Sequence, residues 1–137
     1  MTILRVENIS KTYNDGTQAL KGVTFSVQQG EFVAILGESG SGKSTLLRCI
    51  NRLVEPSEGK IFLGDDEITC ASPYALRSLR RRIGMVFQQY NLVNRLTVRT
   101  NAMLGDLGVL SSWMGLAGYF PRTSIDRART YLEQVGV

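Results

Sequence analysis

The sequence predicts an α/β fold, and three observations predict it. The apolar run Phe32-Val33-Ala34-Ile35-Leu36 enters a bend containing Gly37, Gly40 and Gly42, after which apolar residues recur at 46, 47, 50, 53 and 54. A short unbroken apolar run bounded by turn residues reads as a strand buried on both faces, and the later spacing is helical. Upstream, Leu20 to Val27 alternates, with Val23, Phe25 and Val27 on one face and Thr24 and Ser26 on the other. Downstream, Ile83-Gly84-Met85-Val86-Phe87 reads as a second buried strand following a helix that starts at Ser72-Pro73.

The bend matches G-x-x-x-x-G-K-[ST] at Gly37, Gly42, Lys43 and Ser44. Each residue type has a chemical reason to be there. The glycines admit backbone conformations that a side chain forbids, so successive N–H groups can converge on one anion. The helix that follows contributes unpaired N-terminal donors and the positive end of its dipole. Lys43 can reach terminal phosphates as a compact cation, and the Ser44 hydroxyl is placed to ligate Mg²⁺, with Thr45 behind it. A triphosphate site formed by Gly37, Ser39, Gly40, Ser41, Gly42, Lys43, Ser44 and Thr45 is therefore expected.

The chain has 137 residues, 43% hydrophobic and 20% charged, which is ordinary for one globular domain. Its net charge of +4 is modest and supports no nucleic-acid partner. No signal-peptide pattern opens the sequence, and no apolar run approaches the roughly 20 residues of a membrane span. Cys49 and Cys70 share no metal or redox spacing and read as ordinary thiols.

In chain order, Ile3 to Ile9 is strand-like and leads to Tyr13 and the turn Asn14-Asp15-Gly16, so the first 36 residues read as an antiparallel sheet feeding the glycine loop. Tyr13 by pattern alone is either an aromatic at a strand end or a functional ring. The helix from Lys43 is expected to run to Glu55-Pro56. Lys60 to Leu63 is a short strand, and Gly64-Asp65-Asp66-Glu67 reads as a hairpin with a solvated acidic tip, because Gly64 breaks the strand ahead of the carboxylates. Ser72 caps a helix with Leu76 and Leu79 inward and Arg77, Arg80, Arg81 and Arg82 outward. Thr97 caps a helix from Val98 to about Asp106. Leu107, Leu110, Trp113, Leu116 and Tyr119 suggest a packed helical region or a docking surface. Thr123 with Asp126 resembles a capping box for a last helix that Gly136 ends.

Tyr13, the loop Gly37–Thr45, and Met85-Val86-Phe87-Gln88-Gln89-Tyr90-Asn91-Leu92 together resemble the ATPase subunit of an ABC importer. The stretch Gln88–Val98 and the Trp113 region are most similar to the phosphonate-importing branch. The resemblance implies a P-loop NTPase fold with an antiparallel β lobe (1–36 and 57–70), an incomplete parallel core sheet carrying the P-loop and Q-loop (37–56 and 83–90), and the start of a helical subdomain (91–137). It implies that Tyr13 stacks on adenine, and that Gln88 touches Mg²⁺ or the attacking water as the one candidate catalytic residue. It further implies ATP and Mg²⁺ as cofactors, a membrane permease docked near Gln88–Asp106, a homodimer of the full-length subunit, and a peripheral position on the cytoplasmic face of the membrane.

The family also carries a Leu-Ser-Gly-Gly-Gln signature, a second apolar strand ending in Asp-Glu, and a switch histidine. The sequence contains none of these, and no histidine at all. It reads as an N-terminal portion that ends before the signature. In the family two strands lie between the P-loop strand and the Gln88 strand, which leaves these about 14 Å apart with unpaired edges. The expectation is therefore a marginal or insoluble chain that binds ATP without hydrolysing it. A stand-alone nucleotide-binding or regulatory module is the alternative. A GTPase or small kinase fits less well, since no Asn-Lys-x-Asp motif occurs.

Overall fold

The computed structural model describes residues 1–88, 90–108, 110 and 118–136. They form two compact units, Met1–Ile83 and Gly84–Val137.

The first unit is built on a four-stranded antiparallel sheet in the order β2-β1-β3-β4, with β1 at Thr2–Thr12, β2 at Gln18–Gln28, β3 at Glu58–Leu63 and β4 at Asp66–Glu67. The alternation expected over Leu20–Val27 is observed, because Leu20, Val23, Phe25 and Val27 turn inward. In β1 the register to both neighbours shifts around Asn8, which has φ 50°. The Asn8 amide there donates to Thr24 Oγ1 at 2.8 Å. Gly59 of β3 lies against this bulge: a Cβ on it would sit 2.4 Å from Asn8 O and 2.5 Å from Glu7 O.

The inner sheet face carries Val6, Ile9, Leu20 and Ile61. It packs against α1 (Lys43–Ile50) through Leu46 and Cys49, and against α2 (Pro73–Arg80) through Leu76 and Leu79. These helices contribute i, i+3 pairs, the spacing of one helix face. Cys49 is fully buried, and burial pushes its thiol pKa up, so it is a small core hydrophobe. Cys70 is exposed.

Ser72 caps α2 as expected, its Oγ accepting from Ala75 N at 3.3 Å. Helix α1 stops at Ile50, short of the expected Glu55, because Arg52 takes a left-handed conformation (φ 55°) and turns the chain. Arg80 is a second correction. It is not simply solvated: its guanidinium donates to Asn51 O at 3.0 Å and Arg52 O at 2.7 Å, which ties α2 to the end of α1. Arg82 pairs with Asp66 at 2.5 Å. Arg80→Ala leaves two carbonyls without these donors and should lower stability by about 1–2 kcal/mol, read as a lower urea midpoint with an unchanged slope.

Two expected strands do not form ladders. Phe32–Leu36 carries no strand pairing among the described residues, and Phe32 and Leu36 are 92% and 89% exposed. Ile83–Phe87 likewise belongs to no sheet, with Val86 86% exposed. An apolar run becomes a strand buried on both faces only where neighbouring strands take up its N–H and C=O groups. The described residues supply no such neighbour.

The second unit holds α3 (Val98–Met103), a 3₁₀ turn (Leu104–Gly108) and α4 (Arg122–Gln134). Thr97 caps α3, accepting from Thr100 N at 3.2 Å, and the regular helix ends at Met103 rather than near Asp106. The capping box at Thr123 is not observed. Helix α4 starts from Pro121, whose carbonyl accepts from Ser124 N and Ile125 N, so Thr123 already lies within the first turn. Gly136, at φ 78°, ends α4 as expected. The Trp113 stretch lies outside the described residues.

Candidate functional site

The glycine loop joins the segment after β2 to the start of α1. Gly42 is the N-cap of α1 with φ 89°, and a Cβ there would come within 2.3 Å of Ala19 O and 3.2 Å of Leu20 Cδ2. Only glycine allows the loop to press this closely on the β2 backbone. Gly40 also has a left-handed φ of 81°, but with open space around it. At Gly37 a Cβ would stand 2.7 Å from Ser41 Oγ. No side chain caps α1, and among the described residues the amides of Lys43, Ser44 and Thr45 donate to no carbonyl. They are the orphan first-turn donors of a helix, and they share its positive dipole end.

The Lys43 ammonium folds back over this loop, donating to Gly37 O at 2.8 Å, Glu38 O at 2.5 Å and Ser41 Oγ at 3.2 Å. Ser39, Ser41 and Ser44 are exposed. The loop therefore gathers one cation, several unpaired N–H groups and three hydroxyls, a set that complements an oxyanion and offers a hydroxyl oxygen to a hard cation.

Tyr13 stands in the β1–β2 connection. Its amide donates to Thr17 O and its carbonyl accepts from Gly16 N, both at 2.9 Å, and its hydroxyl lies 3.2 Å from Thr45 Oγ1. The ring is thus brought to the first turn of α1, which sequence pattern alone could not decide. Nearby, Asp15 accepts from Thr17 N at 2.9 Å, which holds its carboxyl below the usual range.

The acidic stretch Asp65-Asp66-Glu67 is a hairpin tip. Leu63 pairs with Asp66 across a Gly64-Asp65 turn, Asp66 is engaged by Arg82, and Glu67 accepts from Thr69 Oγ1 at 2.8 Å. These carboxylates sit on the antiparallel sheet, as the hairpin reading expects.

Gln88 belongs to the second unit, exposed on a turn ahead of Tyr90 and Asn91, both at positive φ. The loop that follows is stitched to α3 by Asn101. Its Oδ1 accepts from Val93 N at 2.8 Å, and its Nδ2 reaches Val93 O, Leu96 O and Thr97 O at 3.1–3.2 Å. Sequence reading missed Asn101, since an asparagine inside a helix carries no signal of its own. It also missed Lys11, whose ammonium lies 5.3 Å from the Tyr13 ring centroid, although its i, i+2 relation to Tyr13 at a strand end marks them as neighbours on one face.

The chain is 52% identical over 135 residues to the phosphonates import ATP-binding protein PhnC 2 of Haloarcula marismortui, covering 98% of this chain and 50% of that protein. It is 49% identical to the protein of the same name from Synechococcus sp., with the same coverage. The chain thus spans about half the length of the curated relatives it matches. Among solved structures, a dimeric ATP-binding cassette in a post-hydrolysis state, bound to ADP and Pi, superposes with a TM-score of 0.78 at 35% identity, covering 95% of this chain and 56% of that one. A nucleotide-free cassette gives 0.75 at 30% identity, covering 97% and 53%. Residues 20–137 match the family model described as ABC transporter. Because that match takes in the glycine loop, both helices packed on the sheet and the whole second unit, the protein belongs to the ABC transporter family.

Proposed function

We propose that this chain binds Mg-ATP in the loop Gly37–Thr45 and acts as the ATP-binding part of an importer for phosphonate or a related organophosphorus anion. The observation that carries the nucleotide reading is the loop itself: Gly42 pressed on Ala19 O, three unpartnered amides at the head of α1, and the Lys43 ammonium held over them. In this reading the loop amides and Lys43 bind the phosphates, with Ser39 and Ser41 at the rim. Ser44 and Gln88 are each assigned to Mg²⁺ by the family resemblance, Thr45 supports Ser44, and Tyr13 stacks on the adenine. Bound Mg²⁺ supplies charge neutralisation of the phosphates. The phosphonate assignment rests on the names of the relatives.

The second unit has a mostly apolar groove of about 360 Å³ lined by Leu92, Val93, Leu96, Val98, Ala102 and Leu132 together with Asn94 and Asn101, all but Leu132 close in sequence to Gln88. We assign the surface around Gln88–Asp106 to a membrane permease and the nucleotide-binding subunit to a homodimer. No helix of the described residues is long and apolar enough to cross a membrane, and a peripheral position on the cytoplasmic face is part of the proposal.

Hydrolysis needs a positioned base or water-orienting group and charge stabilisation in the transition state. Residues 1–137 contain no histidine, and their acidic strand end is the Arg82-paired hairpin. A polypeptide of these residues is expected to bind Mg-ATP, measured by calorimetry, with no steady phosphate release above buffer. Absence of Mg-nucleotide binding by folded chain overturns the site. Steady turnover that disappears in Lys43→Ala overturns the inactivity.

A further inference from the structure

Outside the glycine loop, several groups converge on the Tyr13 ring. The Lys11 ammonium lies 5.3 Å from the ring centroid and at the same time donates to Glu55 O at 2.7 Å. Glu55 is itself held by Arg52, whose Nε lies 2.8 and 2.9 Å from its two carboxylate oxygens, and Arg52 donates onward to Ile68 O and Ala71 O at 3.2 and 2.6 Å. Lys11 is therefore a lysine with its ammonium anchored to a carbonyl beyond the end of α1. A free lysine would spread over many rotamers.

At this distance a cation is attracted to the negative face of an aromatic ring. The ring has three other restraints: its hydroxyl is 3.2 Å from Thr45 Oγ1 at the head of α1, and its backbone is closed by the bonds to Thr17 and Gly16. Tip, base and ring face are each tied to a different part of the fold, and Tyr13 as a residue remains 38% exposed. A flat surface held this way costs less to order when a second flat ring stacks on it.

We propose that Lys11 is a positioning residue that fixes the Tyr13 ring as the platform for a nucleobase. This rests on the reading of the loop as a nucleotide site. Lys11 acts through Tyr13 and not on the phosphates, so its effect falls on ligands that carry a base and vanishes when the ring is removed.

The test is a double-mutant cycle on the 137-residue chain, with Mg-ATP affinity measured by calorimetry and Mg-tripolyphosphate as the base-free probe. Lys11→Ala is expected to weaken Mg-ATP about 3- to 5-fold, to leave tripolyphosphate within a factor of about two, and to have no further effect in a Tyr13→Ala background. Lys11→Arg, which keeps the cation and a donor for Glu55 O, should restore Mg-ATP affinity. Equal loss for both ligands, or the same loss with Tyr13 absent, overturns the inference, since either would mean Lys11 acts through the fold or the phosphates. If wild-type chain binds Mg-ATP and Lys11→Ala is indistinguishable from it, this inference alone fails. If folded wild-type chain binds no Mg-nucleotide, the site reading fails and takes this inference with it.

Discussion

Lys43→Ala is expected to weaken Mg-ATP binding by about 100-fold while leaving the thermal melt of the chain nearly unchanged. Two hydrogen bonds from an ammonium to phosphate oxygens contribute roughly 1.5–3 kcal/mol each. Against this, the ammonium gives up Gly37 O, Glu38 O and Ser41 Oγ when it turns to a ligand. Those bonds are exposed, so the sum stays well in favour of the ligand. Lys43→Met keeps the stem without the charge and should fall as far as Lys43→Ala, which separates charge from packing. Calorimetric titration of both variants decides it, and affinity within a few-fold of wild type would remove Lys43 from the site.

Gly59→Ala should carry the largest loss of stability of any glycine substitution in the sheet, about 3 kcal/mol. The position combines φ 91° with two backbone carbonyls, Asn8 O and Glu7 O, at 2.4 and 2.5 Å from where a Cβ would stand. Neither carbonyl can move without breaking the β1–β3 register around the Asn8 bulge. For a chain of this length the melting temperature should fall by roughly 10 °C or more. Gly16→Ala is the control. It shares a left-handed φ of 83° but meets nothing within 4 Å, so only the conformational cost of about 1 kcal/mol remains. Equal losses at the two positions would show that strain alone, and not the contact with the bulge, sets the requirement at Gly59.

The glycine loop was legible because its conformational demands are local. Gly37, Gly42, Lys43 and Ser44 lie within eight residues, and the conformations they permit depend on the absence of side chains at those positions. The β2 alternation, the Ser72 and Thr97 caps, the hairpin at Gly64-Asp65 and the family resemblance could be read in the same way, from spacing and turn chemistry. Which residues answer one another across the chain could not. Ala19 O meets Gly42, Lys11 meets the Glu55 carbonyl, Arg80 meets the end of α1, and Asn8 sets the need for glycine at 59. Each of these pairs a side chain or a missing Cβ with a backbone atom distant in sequence, and a backbone carbonyl leaves no mark in residue identity. The runs at 32–36 and 83–87 show the same limit from the other side. Apolar composition declares that a segment can be buried, but pairing is a property of neighbours, and only the assembled sheet decides whether a strand has them.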